Sequence, residues 1–140
     1  MIDNVKILVV INREDNSIQE CLKRLSSKIK GSVHLLYVKD IEPYPAEVLI
    51  ELEKKYNEIK EKGTKVLRDL SNKIKELGFK VEVLGVHCGI APERILKLED
   101  ELNPDIILLQ YKPSALKRLF SRDYVDIVLS KSKAPILIAK

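Results

Sequence analysis

The sequence has no tryptophan, two phenylalanines, two cysteines and five glycines among 140 residues. Two cysteines, Cys21 and Cys88, are too few for a disulfide framework or a four-cysteine zinc site. The longest apolar stretches run about seven residues, far short of the roughly 20 that a membrane span needs. Met1-Ile2-Asp3-Asn4 leads directly into a strand-like run, which leaves no room for a basic, apolar, small-residue secretion signal. No glycine stands in the turn after the first apolar run, so neither a dinucleotide fingerprint nor a P-loop is present there. The expectation is a single cytoplasmic domain away from membranes, since a chain of this length buries roughly two-thirds of its unfolded surface.

What is present is apolar and charged in ordinary proportion, 45% and 33%. The 19 lysines and 13 glutamates resemble high-temperature compositions, although many ordinary surfaces share the bias. The net charge of +4 lies wholly in residues 105–140, where seven positive side chains face three negative ones. The first 104 residues balance, 18 against 18. A basic third could meet phosphate or nucleic acid, but a charge this small reads as a solvated face, and nucleic acid is not an expected partner.

Five short apolar runs, at 5–11, 33–38, 79–86, 106–109 and 136–139, predict strands. The first, fourth and fifth are nearly continuous in Val, Ile, Leu and Ala, as in a parallel sheet with helices on both faces. Phe79-Lys80-Val81-Glu82-Val83 alternates instead and predicts a wetter, outer strand. The fifth run follows Pro135 and predicts a short edge strand. Between them, Ile18, Cys21, Leu22, Leu25 and Ile29 share a helical face, with Ser17 and Glu20 at capping-box spacing. Residues 45–77 carry Val48, Leu52, Tyr56, Ile59, Val66, Leu70, Ile74 and Leu77 at helical steps. Fully helical, that stretch would reach about 45–50 Å, so it is expected to bend or break near Gly63, or to project. Pro92 opens a third helix that Asn103-Pro104 ends, and a last helix starts near Ser121. The mixed charges of 51–76 predict intrahelical ion pairs. Right-handed crossovers then give an open, five-stranded, mostly parallel α/β sheet with helices on both faces.

In such sheets ligands sit beyond the carboxyl ends of the strands, where the strand order reverses. Those ends read Asn12-Arg13-Glu14-Asp15-Asn16-Ser17, then Lys39 to Pro45, then His87-Cys88-Gly89-Ile90, then Gln110 to Asp123. Set beside Lys6-Ile7-Leu8-Val9-Val10-Ile11, Val33 to Val38, Gly89 with Ala91 to Leu96, Pro104 to Leu109, and Ala134 to Ala139, they make the whole chain resemble the universal stress protein family. The resemblance implies a three-layer α/β sandwich with strand order 3-2-1-4-5.

ATP-binding members of that family carry glycine, two residues, glycine, nine residues, then glycine and serine or threonine, after the fourth strand. Such glycines let backbone approach the phosphates, and the last pair opens a helix whose N–H groups receive the anion. The matching positions here are Gln110, Pro113, Arg122 or Asp123, and Asp123 or Tyr124, depending on one gap. Pro113 has no N–H to donate, and a carboxylate at Asp123 would satisfy the helix-opening N–H groups and repel phosphate. The family's ribose-holding aspartate is matched by Asn12, and Val38 matches the position whose backbone meets adenine. Gly89 is the one glycine retained at these strand ends.

Other chemistry is sparse. His34 predicts a buried histidine with one hydrogen bond, and His87 and Cys88 lack the partners a metal or a nucleophilic thiol needs. A phosphate-accepting receiver would need acids where Asn12-Arg13 and Cys88-Gly89 stand. No paired carboxylates, triad or metal cluster emerges. The resemblance therefore implies a stress-response protein without ATP or magnesium, acting by binding an unknown protein partner. It also implies a homodimer paired through Ile136, Leu137, Ile138 and Ala139. The alternative expectation is an ATP- or AMP-binding switch, or slow ATPase, with an altered phosphate loop.

Overall fold

The structure, a computed structural model, describes residues 1–40, 49–110 and 124–140, with side chains at 40 and 49–52 set aside. Nine elements follow in order among the described residues. They are β1 (Ile2–Ile11), α1 (Ser17–Leu25), β2 (Ile29–Asp40), α2 (Leu49–Glu76), β3 (Lys80–Gly89), α3 (Ala91–Leu102), β4 (Ile106–Gln110), α4 (Tyr124–Lys131) and β5 (Ile136–Ala139). The strands form one parallel sheet in the order β3-β2-β1-β4-β5, as expected. Both outer strands are the two the sequence places at edges.

The unbroken apolar runs have a simple cause. In β1, Ile7, Val9 and Ile11 face one helical layer while Leu8 and Val10 face the other, and all five are fully buried. The first layer collects Ile18 and Leu22 of α1 with Leu67, Leu70 and Ile74 of α2. The second collects Ile95 and Leu98 of α3 with Tyr124, Val125 and Val128 of α4. A strand covered on both faces has no position that water would hold, so alternation disappears.

α2 does not break at Gly63. The helix runs 28 residues without interruption, about 42 Å at 1.5 Å per residue. Its side chains from Glu53 to Glu58 are exposed, so the first turns overhang the sheet, and burial begins in earnest at Gly63 and Val66. Gly63 is there for contact. A Cβ added to it would lie 2.7 Å from Val86 Cγ2 and 2.9 Å from Tyr37 Cδ1. Alanine would gain about 1 kcal/mol of helix propensity but force the helix off β2 and β3 at a cost of about 1–3 kcal/mol. Gly63→Ala is therefore expected to lower the thermal midpoint by several degrees, where propensity alone would raise it.

Three further expectations change. Ile29 belongs to β2 rather than to the helical face of α1. Ser17 is the first helical residue, not the cap; the cap is Asn16, whose side chain makes no capping bond, and Asp15 receives the Ser17 N–H instead. Among the described residues Arg13–Asp15 is an ion pair and His34 contacts Glu82, with no ion pair inside α2. The third helix ends as expected, with Asn103 in the left-handed conformation at φ 48° before Pro104. Where the last helix was expected to start, Ser121 lies outside the described residues.

β3 gains a bulge: Leu35 pairs with Val83 and Leu36 with Gly85, leaving Leu84 extra, and Gly85 takes φ 100°. The extra residue reverses the face of everything after it. Val81 and Val86 therefore both pack on the α1–α2 side despite their odd spacing.

Candidate functional site

Strand order reverses between β1 and β4, which lie side by side while their crossovers lead to opposite edges. The crevice at their carboxyl ends is where such a sheet receives a ligand. Asn12 follows β1 and Gln110 closes β4, so the fold brings these two expected positions to the same place.

Gln110 bridges the two strand ends. Its side chain is 2% exposed and uses both ends of the carboxamide. Oε1 accepts the backbone N–H of Asn12 at 2.8 Å and of Arg13 at 3.3 Å. Nε2 donates to the Arg13 carbonyl at 3.1 Å and to Asp15 Oδ1 at 3.0 Å. Two N–H donors on one end and two oxygen acceptors on the other allow one amide orientation only.

The remaining polar groups close around this bridge. Asn12 Nδ2 donates to Tyr124 Oη at 3.1 Å, and Arg13 Nη1 donates to Asn12 Oδ1 at 3.2 Å. Arg13 Nε donates to Asp15 Oδ2 at 2.7 Å. Asp15 Oδ1 also takes the Ser17 N–H at 3.0 Å and the Ser17 hydroxyl at 2.6 Å. Tyr124, the first residue of α4, is buried at 4% exposure beneath Asn12. No buried side-chain nitrogen or oxygen among the described residues lacks a partner. The N–H groups of Asn12 and Arg13 at the end of β1 are already given to Gln110.

Asp15 is held below the ordinary carboxylate range. Desolvation pushes it up, but the Ser17 hydrogen bonds and the charge and hydrogen bond of Arg13 together outweigh that. A depressed carboxyl stabilises the fold above its unfolded value and loses that contribution as pH falls through its folded one. Asp15→Asn should therefore flatten the decline of stability below about pH 4, read from melts across an acid series.

Val38 and Gly89 stand on β2 and β3, away from this network. Val38 is fully buried among the α3–α4 layer and pairs with His87, while Gly89 pairs with Asp40 at the strand end. Pro113, Arg122 and Asp123 lie outside the described residues. Arg13, Asp15 and Ser17 complete the site though sequence reasoning passed over them. Their alternation directly after a strand at the switch point was the available signal.

At the sheet edge, Ile136 and Ile138 are half-buried, Ala139 is buried, and Leu137 is 38% exposed. Cys88 is half-buried, and burial raises its thiol against the opposing charge of Lys39, so it stays a protonated, weak nucleophile. Among the described residues no three His, Cys, Asp or Glu side chains gather as a metal ion requires, and no helix is long and apolar enough to cross a membrane.

A parallel 3-2-1-4-5 sheet with polar strand ends at its switch point defines a doubly wound α/β domain. The chain belongs to the Universal stress protein family, whose family model matches residues 4–140. The universal stress protein UspA from Lactobacillus plantarum shares the fold at TM-score 0.74 and 15% identity over 100% of each chain. The hypothetical protein PH0823 is similar at 26% identity and TM-score 0.66, over 96% of this chain and 95% of that one. A family protein from Arabidopsis thaliana, solved with AMP bound, shares the fold at TM-score 0.62 and 18% identity over 97% and 91%. Among curated proteins none matches the chain.

Proposed function

We propose that this universal stress protein works without ATP in its switch-point crevice, as a cytoplasmic homodimer that binds a protein partner under stress. The observation that carries the reading is the Gln110 carboxamide, whose four hydrogen bonds occupy the end of β1. A glycine at that position would leave the same donors open to a ligand.

Dimerisation is supported by the contrast between the two edges. β3 carries exposed Lys80 and Glu82 and a bulge, all of which discourage edge pairing. β5 carries four apolar residues and no such device. β5 stands at the edge of the sheet, where a second copy can continue it by a twofold axis.

The second reading, an adenine-nucleotide switch or slow ATPase with an altered loop, is favoured by the AMP bound to the Arabidopsis protein. Thermal melts with millimolar ATP and magnesium separate the two. A ligand at a hundredfold excess over its dissociation constant stabilises by about 2.7 kcal/mol, a rise of roughly 8 °C for a chain of this size. The first reading expects no rise, and native mass spectrometry showing two 16.0 kDa chains without nucleotide. A rise with ATP refutes the nucleotide-free crevice, and a 16.0 kDa monomer refutes the dimer.

A further inference from the structure

A second polar constellation lies at the other end of the sheet, well away from Gln110. In the parallel register, Lys6, Ser32 and Lys80 form one row across β1, β2 and β3, and Leu8, His34 and Glu82 form the next but one. Ser32 and His34 are two residues apart on β2, so their side chains leave by the same face. His34 Nε2 lies 3.1 Å from Ser32 Oγ, and His34 Nδ1 lies 3.1 Å from Glu82 Oε1. Both ring nitrogens are engaged, where the sequence suggests one hydrogen bond.

The partners select the tautomer. An ionised carboxylate can only accept, so Nδ1 carries the ring hydrogen and Nε2 presents its lone pair, to which the Ser32 hydroxyl donates. A hydroxyl on a base, with the base turned by a carboxylate, is the arrangement that activates serine for acyl transfer. Solvent reaches it: Ser32 is half-buried, the His34 side chain is 12% exposed and that of Glu82 58%. Lys6 Nζ is committed to the Leu102 carbonyl, and exposed Lys80 stands in register with Ser32 on the neighbouring strand.

We propose that Ser32 is an acyl-accepting nucleophile, with His34 as general base and Glu82 as its positioning residue, acting on small carboxylic esters that can reach the half-buried Ser32 hydroxyl. Ser32 Oγ bonds to the ester carbonyl carbon while its proton passes to His34 Nε2. The tetrahedral adduct expels the alkoxide, which takes that proton and leaves as alcohol. Water then adds to the acyl-serine, giving a proton to Nε2; the bond to Oγ breaks, the proton returns to it, and the carboxylic acid departs.

The test is intact-mass and peptide mapping after exposure to p-nitrophenyl acetate, with release of p-nitrophenolate followed in parallel. The expected result is an initial burst and a single acetyl group on Ser32. Ser32→Ala should abolish both, and His34→Gln should slow acylation by about a hundredfold, the usual range for general-base loss. Glu82→Gln, at an exposed position, should slow it about tenfold with the thermal midpoint unchanged, which a mere β2–β3 staple would not do. Acetyl groups on lysines alone, no adduct on Ser32, or an undiminished burst in Ser32→Ala would each overturn the proposal. The outcome is independent of ATP binding, because the crevice residues take no part.

Discussion

Gln110→Leu is expected to melt roughly 10 °C below the unaltered protein, although the two side chains have similar volume. The change strands the N–H groups of Asn12 and Arg13 and the Arg13 carbonyl, and it removes one of several donors from Asp15. A buried donor or acceptor left without a partner costs about 1–3 kcal/mol. Asp15 keeps Ser17 and Arg13, so its loss is small. Partial hydration of the Asn12–Arg13 backbone brings the total to about 3 kcal/mol, and a chain this size loses about 3 °C per kcal/mol. A midpoint within 2 °C or so of wild type would mean that water already fills the crevice, and the case for a carboxamide plug would go with it.

The same position separates shape from charge. Gln110→Glu keeps an acceptor for the two N–H groups but turns a second carboxylate oxygen toward Asp15 Oδ1 and the Arg13 carbonyl. The introduced carboxyl is raised in the folded state, so its penalty is absent below its unfolded pKa and grows as pH rises through the folded value. Melts at acid and neutral pH should therefore diverge for this variant in the direction opposite to that set by Asp15.

The layers of this fold are readable in the sequence because burial on both faces leaves continuous apolar runs, as in Ile7 to Ile11 and Ile107 to Leu109. The edges are readable too: Lys80 and Glu82 interrupt β3, and Pro135 precedes β5. Gly63 is misleading for a physical reason. Glycine weakens an isolated helix, and only the positions of Tyr37 and Val86, distant in sequence, show that a missing Cβ is what lets α2 reach the sheet. At the site, Asn12 and Gln110 mark the strand ends, but nothing local says that one carboxamide spans both. That requires the β1–β4 adjacency. Arg13 and Asp15 are ordinary loop residues until the same adjacency gives them Gln110, and Ser17 enters only through Asp15. The Ser32–His34–Glu82 contact depends likewise on the β2–β3 register, which pairs His34 with Glu82 across 48 residues of chain.

Glu99→Ala should have an effect close to that of Gln110→Leu, at the opposite end of the sheet. Glu99 projects from α3 at 7% exposure and holds the segment that leads into β5. Its carboxylate accepts the Ser132 hydroxyl at 2.5 Å and the N–H groups of Lys133 at 2.7 Å and Ala134 at 3.3 Å. Alanine leaves two N–H donors and a hydroxyl to find water in a half-buried turn, a loss of about 2–3 kcal/mol. Glutamine keeps one oxygen for the two N–H groups, and its amide can donate to the Ser132 oxygen once that hydroxyl turns, so Glu99→Gln should lose only about 1 kcal/mol. Amide exchange at Lys133 and Ala134 reads the difference directly, rising strongly in the alanine variant and little in the glutamine one. Because the turn sets where Ile136 begins to pair with Ile107, the alanine variant should also loosen β5 and weaken any dimer built on that edge. Equal exchange in the two variants would mean that the carboxylate merely rests against the turn and that Pro135 with the β4 ladder holds the edge strand by itself.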